Sequence, residues 1–181
     1  MKHHRIFLKD AGFTIVEVLV VLAIVAIISG FMVVNFRKGG ESGKLQRSAQ
    51  LIVQNIRKAQ NMALSSVEYG GAVPYAYGVF FDRDVINSYI LFADLNPDSY
   101  RYNGEPPDKR IETINLERGI VIDSISPSPF LHIAFSPPNP LTFINVDRSE
   151  ATITIKKEGA TCPSVNCRNI TVKNTGWMTI K

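Results

Sequence analysis

Residues 9–36 read KDAGFTIVEVLVVLAIVAIISGFMVVNF, and this stretch decides how the rest of the chain is organised. From Val18 to Phe36 it holds nineteen residues without a charge. A helix of that length spans roughly 28 Å, close to the thickness of the hydrocarbon core of a bilayer. The segment is apolar on every side, which excludes an amphipathic helix on the surface of a soluble domain. We therefore expect a membrane anchor.

A cleaved secretory signal peptide is the competing interpretation of this segment. Its apolar region is usually about 7–15 residues long and ends at a small-residue cleavage site. Here the run is longer and Arg37 and Lys38 follow it directly, which favours the anchor. The flanking charges do not orient it, because three basic residues precede the run and four lie between Arg37 and Leu51. The positive-inside rule therefore does not favour a cytoplasmic N-terminus.

Glu17 is an acidic residue one helical turn inside the apolar stretch. An unpaired carboxylate costs about 2.5–3.5 kcal/mol at the centre of a bilayer and less near its interface, so such a residue is a functional candidate. The alternative is an interfacial glutamate that the dipole at a helix start tolerates.

The sequence KDAGFTIVEVL, residues 9–19, resembles the prepilin signal of type IV filament proteins. That family has a short basic leader, a glycine at the cleavage point, an aromatic first mature residue and a glutamate as the fifth, and Gly12, Phe13 and Glu17 occupy these positions. The resemblance implies cleavage between Gly12 and Phe13 by a prepilin peptidase on the cytoplasmic side, and N-methylation of the new Phe13 amine. It also implies an assembly salt bridge between Glu17 and that amine, in the same chain or in a neighbouring subunit, because two charges that are each costly in apolar surroundings are stabilised as a pair.

The same resemblance implies a domain organisation and a location. It gives a leader at 1–12, a transmembrane and filament-core helix at 13–38, an amphipathic continuation at 39–66 and a β-rich globular head at 67–181. The protein would cross the cytoplasmic (inner) membrane once with its head outside, and then join a filament in the periplasm or at the cell surface. Its partners would be the prepilin peptidase and methylase, other pilin or pseudopilin subunits, and the membrane.

A second helical pattern follows the apolar segment. Gly39, Gly40 and Gly43 predict a hinge or a melted turn, since glycine costs about 1 kcal/mol inside a helix. Beyond them, apolar residues recur at spacings of four and three, which predicts one helix face packed on a sheet: Leu45, Ala49, Ile52, Ile56, Ala59 and Ala63. The tract QRSAQLIVQNIRKAQNMALSS, residues 46–66, resembles the corresponding helix of FimT/GspH-type minor pilins and pseudopilins.

From Tyr75 onward the pattern is typical of strands separated by short turns. Because no helices alternate with these strands, we expect antiparallel sheets. The expected fold class is α+β and pilin-like, with a long N-terminal helix, membrane-spanning in its first half, packed on an antiparallel β-rich head. The head also resembles that of FimT/GspH-type proteins. The candidate strands are 75–81, 86–93, 111–116, 119–125, 130–135, 141–146, 150–156, 169–173 and 177–180.

The cysteines and histidines are too few for most catalytic sites. Cys162 and Cys167 are expected to form a disulfide in a head that the resemblance places outside the membrane, with free thiols as the alternative. Two cysteines and three histidines make a zinc site of the usual kind nearly impossible. His132 is interpreted as a structural residue of an alternating strand rather than a catalytic base. We therefore predict no enzyme.

The sequence DLNPDSYRYNGE, which begins at Asp94, is the one cluster with metal-ligand chemistry. Asp94, Asn96, Asp98 and Glu105 occupy positions 1, 3, 5 and 12 of an EF-hand loop. Ser99 stands where that loop needs glycine, and two prolines follow. Calcium is therefore the one cofactor that the sequence suggests. The alternative is a solvated loop whose Asp and Asn side chains make local hydrogen bonds.

The basic residues give little support for binding to nucleic acid. The net charge is +4, too small to indicate a nucleic-acid binder by itself. Five cations near the C-terminus, spread over 26 residues, are typical of a solvated face: Lys156, Lys157, Arg168, Lys173 and Lys181. Some FimT-like minor pilins bind DNA, but Trp177 follows Gly176 where an arginine-containing tail would be expected in such relatives. DNA is therefore not an expected partner.

The sequence thus predicts a structural subunit, a minor pilin or pseudopilin of a type IV pilus or a type II secretion filament. The alternative function is a DNA-binding minor pilin that acts in DNA uptake.

Overall fold

The computed structural model of the protein describes residues 14–97 and 99–181, without the side chains of residues 31–42. The leader, Gly12 and Phe13 lie outside this part of the chain. By its internal contacts the chain divides into two compact units, Met1–Glu41 and Ser42–Lys181. The helix α1 (Ile15–Leu64) contributes residues to both units. Gly39, Gly40 and Gly43 all lie within this helix. The melted turn is therefore wrong, and the alternative of a hinge stays a prediction.

In the second unit, α1 buries one stripe of side chains. The six residues that the sequence places on one face are all at most 1% exposed, which confirms the predicted period: Leu45, Ala49, Ile52, Ile56, Ala59 and Ala63. Three of the six are alanines, whose small side chains leave room for close packing of the helix. The helix ends where Ser66 adopts a positive φ of 45° and Val67 N–H bonds to Met62 O at 3.1 Å. This geometry satisfies a carbonyl of the last turn.

Nine strands follow α1 in the described chain, all antiparallel, close to the segments that the sequence predicts. Their bounds are β1 (Ala76–Asp82), β2 (Ser88–Asp94), β3 (Lys109–Asn115), β4 (Ile120–Ser126), β5 (Phe130–Ser136), β6 (Leu141–Ile144), β7 (Glu150–Lys157), β8 (Cys167–Lys173) and β9 (Met178–Ile180). One sheet has the strand order β3-β2-β1-β5-β6 and the other β4-β7-β8-β9. The fold is therefore α+β, as expected.

The core of the second unit lies between α1 and the inner faces of both sheets. Alternate residues of the strands supply it, because successive side chains of a strand point to opposite faces. The largest fully buried side chains include Tyr77, Phe81, Tyr89 and Phe135. Tyr89 OH accepts a hydrogen bond of 2.9 Å from Asn55 Nδ2, which connects α1 to the five-stranded sheet inside the core.

The five-stranded sheet also buries a small cluster on its outer face. Phe92 and Ala134 are fully buried there, with Phe80 and Tyr102 packed against them. Phe92 lies across Gly78, where an added Cβ would be 2.5 Å from the carbonyl oxygen of Ile133 and 2.7 Å from Phe92 Cζ. Only glycine fits at this position. The outer cluster is covered by the connection between β2 and β3, residues 95–108, called here the β2–β3 loop.

Candidate functional site

The first turn of α1 is held by a reciprocal pair of hydrogen bonds. Glu17 N–H donates to Thr14 Oγ1 at 3.2 Å, and Thr14 N–H donates to Glu17 Oε2 at 3.4 Å. This exchange is a capping box, in which two side chains satisfy backbone donors that a helix start leaves free. The carboxylate of Glu17 therefore lies at the N-terminal end of the helix, where the helix dipole stabilises a negative charge.

The helix surface that follows Glu17 is apolar and uncovered. Every side chain from Thr14 to Gly30 is exposed, including Ile15 at 81% and Leu19 at 61%. Exposed apolar surface on this scale marks a site of contact with another apolar phase, either protein or membrane. This surface can therefore be buried against a partner. Glu17 is the one charged residue between Thr14 and Gly30.

The second candidate region is the β2–β3 loop, which packs on the outer face of the five-stranded sheet through two tyrosines. The Tyr100 ring stacks on Phe143 with centroids 3.8 Å apart. The Tyr102 ring lies 5.4 Å from Phe80 and 5.5 Å from Phe92. These aromatic contacts favour a loop that lies on the sheet rather than one that is fully solvated.

His132 on β5 fastens the same loop by a backbone hydrogen bond. Tyr102 N–H donates to His132 Nδ1 at 3.0 Å. Burial, with the nearby charge of Arg101, lowers the pKa of His132 to about 4. The imidazole is therefore neutral near pH 7 and can accept this bond. The Asn145 side chain makes two hydrogen bonds to the backbone of β5. Its Oδ1 accepts from His132 N–H and its Nδ2 donates to Phe130 O, each at 2.8 Å. His132 thus has a structural role here.

Two aspartates lie at the base of the loop. Asp94 ends β2 and Asp108 precedes β3, and both are fully buried. Asp108 Oδ1 accepts from Leu95 N–H at 3.2 Å, and its Oδ2 accepts from Asn103 N–H at 2.6 Å. Burial, with the charge of Asp108 added, raises the pKa of Asp94 to about 7 against the lowering effect of the Asn96 amide.

The three described residues of the predicted calcium-ligand set, Asp94, Asn96 and Glu105, have different surroundings in the structure. Asp94 is buried, and its Oδ1 accepts from Asn96 N–H at 2.9 Å in an Asx-type turn. Asn96 itself is exposed, and Glu105 Oε1 accepts from Arg110 N–H at 2.8 Å. Asp98 lies outside the described residues. In the described ranges, no three His, Cys, Asp or Glu side chains are grouped to hold a metal. The calcium assignment of this loop stays a prediction.

The cysteine prediction is confirmed, since the structure contains a Cys162–Cys167 disulfide. It closes the loop that leads into β8.

Several basic residues of the tail have partners within the chain. Lys156 Nζ forms an ion pair with Asp123 at 2.6 Å, and Lys173 Nζ lies 5.6 Å from the centroid of the Trp177 ring. Arg168 Nη1 donates to two carbonyls of the disulfide loop, at 2.7 and 3.2 Å. Lys156, Lys173 and Arg168 thus have internal partners.

The comparison with known families gives a match near the start of the chain. Residues 8–33 match the model of the prokaryotic N-terminal methylation motif. The chain carries this motif. It contains Gly12, Phe13 and Glu17, the residues on which the resemblance to prepilins depends. Comparison with curated proteins and with solved structures gives no match.

The methylation motif supports a type IV pilin-like or pseudopilin subunit, and with it a structural protein rather than an enzyme. It implies processing by a prepilin peptidase and membrane-associated assembly with other pilin subunits. Together with the helix and the antiparallel sheets, it makes the fold a pilin-like α+β arrangement.

Among the described residues, no helix combines the length and the apolarity needed to cross a membrane. The membrane span predicted for Val18–Phe36 is therefore not confirmed.

Two residues that contribute to these regions, Thr14 and Asp108, were not predicted from the sequence. Thr14 belongs to a T-x-x-E signature with Glu17, which is the sequence mark of a capping box. Asp108 has no such local signal. It becomes visible only when β2 and β3 are paired as a hairpin, since Ala93 then pairs with Lys109 and the next position brings Asp94 opposite Asp108.

Proposed function

We propose that this protein is a FimT/GspH-type minor pilin or pseudopilin, cleaved between Gly12 and Phe13 and N-methylated on Phe13. It is anchored in the cytoplasmic membrane by Val18–Phe36 with the β-rich head outside, and it then enters a type IV pilus or type II secretion filament. The observation that carries this proposal is the methylation motif at residues 8–33. The helix sequence at residues 46–66 supports the FimT/GspH type.

The geometry around Glu17 supports an assembly role for its charge. The carboxylate accepts a hydrogen bond from the amide of Thr14, the residue that follows Phe13 in the chain. Cleavage after Gly12 creates a positive amine on Phe13, one residue from that amide. Within an apolar filament core, this amine and Glu17 are stabilised as a pair and are costly apart. The salt bridge forms within the chain or with a neighbouring subunit.

The exposed apolar surface of α1 between Ile15 and Ile28 supports the same assembly. It is first covered by lipid and then by the equivalent helices of other subunits. The hydrophobic contribution is the same kind in both places, about 25 cal/mol per Å² removed from water. Registration between subunits therefore depends on the one charged pair rather than on the apolar surface.

A DNA-binding minor pilin is the alternative function. A binder of this kind needs cations that converge on phosphates, and its affinity falls steeply with salt. The internal partners of Lys156, Arg168 and Lys173 favour the structural subunit.

Processing is tested on the protein in membranes from cells with and without the prepilin peptidase, by intact mass and N-terminal sequencing. The expected product begins at N-methylated Phe13 and is absent without the peptidase. Gly12→Val is the matched variant, and it should stay unprocessed in both strains because a branched side chain hinders access to the scissile bond. A wild-type chain that keeps residues 1–12 in both strains would overturn the proposal.

A further inference from the structure

The β2–β3 loop contains the one Asn-Gly sequence of the chain, at Asn103 and Gly104. Asparagine is one of the residues that degrade chemically in proteins, because its side-chain carbon lies within reach of the next backbone nitrogen. Glycine has no Cβ to hinder that approach. Asn103 is exposed, and a Cβ added at Gly104 would have no neighbour within 4 Å. Among the described residues, Gly104 N–H has no hydrogen-bond acceptor, so both reacting groups are accessible.

Asp108 holds this Asn-Gly segment from both sides. Its Oδ2 accepts from Asn103 N–H at 2.6 Å, and its own N–H donates to Gly104 O at 3.1 Å. The peptide bond between Asn103 and Gly104 lies between these two contacts. The Asn103 side chain makes a hydrogen bond from Nδ2 to Ser99 Oγ at 2.7 Å. Water competes for a bond at the surface, so the side chain is restrained less than the backbone on either side of it.

The reaction open to this segment needs only solvent base and water. Gly104 N loses its proton to solvent and bonds to Asn103 Cγ, and the Cγ–Nδ2 bond breaks with release of ammonia. A cyclic succinimide remains in the main chain. Water then opens the ring at either of its carbonyls, which gives aspartate or isoaspartate at position 103. The balance is one water consumed and one ammonia released.

We propose that Asn103 is a site of spontaneous modification in the folded protein, and that its isoaspartate product releases the β2–β3 loop. In isoaspartate the main chain runs through Cγ and gains one methylene between the two groups that Asp108 binds. Both hydrogen bonds of Asp108 then lose their geometry, because each depends on distance and angle. Either product also adds a carboxylate to a loop that already buries Asp94 and Asp108, and like charges repel.

The released loop differs from the native one in how often it opens. Between Asp94 and Asp108 the loop carries Tyr100 and Tyr102, which cover the outer cluster of the five-stranded sheet. Arg101 lies between these tyrosines and is exposed. More frequent opening lets a protease reach the bond after Arg101 faster. This modification does not depend on the filament function.

The test incubates the full-length chain in detergent at about pH 8 and at about pH 6, and then compares two tryptic fragments by mass. Fragments 102–109 and 174–181 each contain one asparagine. Asn174 is also exposed, but Thr175 follows it, and a branched side chain hinders the attack. We expect fragment 102–109 to gain one mass unit at least tenfold faster than fragment 174–181, and to separate into two isomers. Conversion should be faster at the higher pH, because the attacking nitrogen must lose its proton. A sample digested without incubation corrects for conversion during digestion.

The matched variant is Asn103→Gln, which keeps a side-chain amide but would have to close a larger ring. Its fragment 102–109 should keep its mass. Native-state trypsin cleavage after Arg101 is then timed for fresh and incubated protein, with cleavage after the exposed Arg148 as the internal control. Cleavage after Arg101 should become about tenfold faster in the converted wild type and stay unchanged in incubated Asn103→Gln.

Two outcomes would overturn the proposal. If fragment 102–109 converts only after the chain is unfolded in urea, the fold protects Asn103 and the site is inactive in the native protein. If it converts in the folded chain while cleavage after Arg101 stays at the rate of the fresh protein, the loop is not released.

Discussion

Glu17 and Thr14 exchange hydrogen bonds at the start of α1, with Glu17 N–H 3.2 Å from Thr14 Oγ1 and Thr14 N–H 3.4 Å from Glu17 Oε2. The glutamate therefore has two physical functions that can be separated. Its oxygen caps a backbone amide, which any residue with a similar carbonyl oxygen can do. Its charge can compensate an amine, which only an acid can do.

We predict that Glu17→Gln blocks filament assembly while it preserves the start of α1. Glutamine fits a capping box as glutamate does, so the helix end is retained. The charge that compensates the Phe13 amine is lost, and an unpaired charge in apolar surroundings costs several kcal/mol. Assembled subunit, measured by fractionation of sheared filaments, should fall about tenfold or more. The amount of subunit in the membrane should not change.

The matched variant for this prediction is Thr14→Val, which removes the capping oxygen and keeps the charge. It should cost about 1 kcal/mol at the helix start and leave assembly close to that of the wild type. If Thr14→Val reduced assembly as much as Glu17→Gln does, the capping box would be the important feature and the charge would not.

The hydrogen bond between Asn55 and Tyr89 leads to a prediction about the core. Tyr89→Phe removes the oxygen that accepts from Asn55 Nδ2 and leaves a buried N–H without a partner. Such a group costs about 1–3 kcal/mol. The free energy of unfolding, measured with urea on the full chain in detergent, should fall by that amount. Tyr75→Phe, at a half-exposed ring, should change it by less than about 0.5 kcal/mol. Equal values for both variants would mean that the bond contributes no stability.

Gly78 gives a second prediction for the core, based on space. In Gly78→Ala the new Cβ would lie 2.5 Å from Ile133 O, a backbone atom that cannot rotate away. We expect a loss of about 3 kcal/mol in the free energy of unfolding, at the upper end of the cost of overpacking. Gly30→Ala is the control, because its Cβ would have no neighbour within 4 Å and alanine favours the helix. Unchanged stability in Gly78→Ala would show that the strands can shift.

The sequence predicted those parts of the fold that depend on local periodicity. The helical stripe from Leu45 to Ala63 follows from spacings of three and four, and each of its six residues is buried. The strands follow from alternation and from the turn residues between them. The disulfide follows from two cysteines five positions apart. Each of these signals lies within a short stretch of chain, so a single sequence is enough to reveal it.

The contacts that organise the β2–β3 loop could not be predicted in this way. Tyr102 meets His132 thirty residues later, and Asp94 meets Asp108 only through the register of β2 and β3. The EF-hand pattern assumes that side chains at fixed spacings along the loop converge on one ion. In the structure, Glu105 instead accepts a hydrogen bond from the backbone of Arg110. Long-range pairing decides which polar groups meet, and the sequence carries no local mark of it.

The contact between Tyr102 and His132 predicts that stability depends on pH in a defined window. The pKa of His132 is about 4 in the folded protein, against about 6.5 in an unfolded chain, because burial and Arg101 disfavour its charged form. Between these values the unfolded chain binds more protons than the folded one, so stability rises with pH from about 4 to 6.5 and falls as the solution is acidified. The change amounts to about 3 kcal/mol over the whole window, at most about 1.4 kcal/mol per pH unit. The free energy of unfolding should be measured with urea at intervals from pH 4 to pH 7, for the wild type and for His132→Gln. Glutamine can still accept from Tyr102 N–H but does not titrate, so the difference between the two proteins isolates this histidine from the carboxylates that titrate in the same range. Parallel curves for the two proteins would show that His132 is not buried in its neutral form.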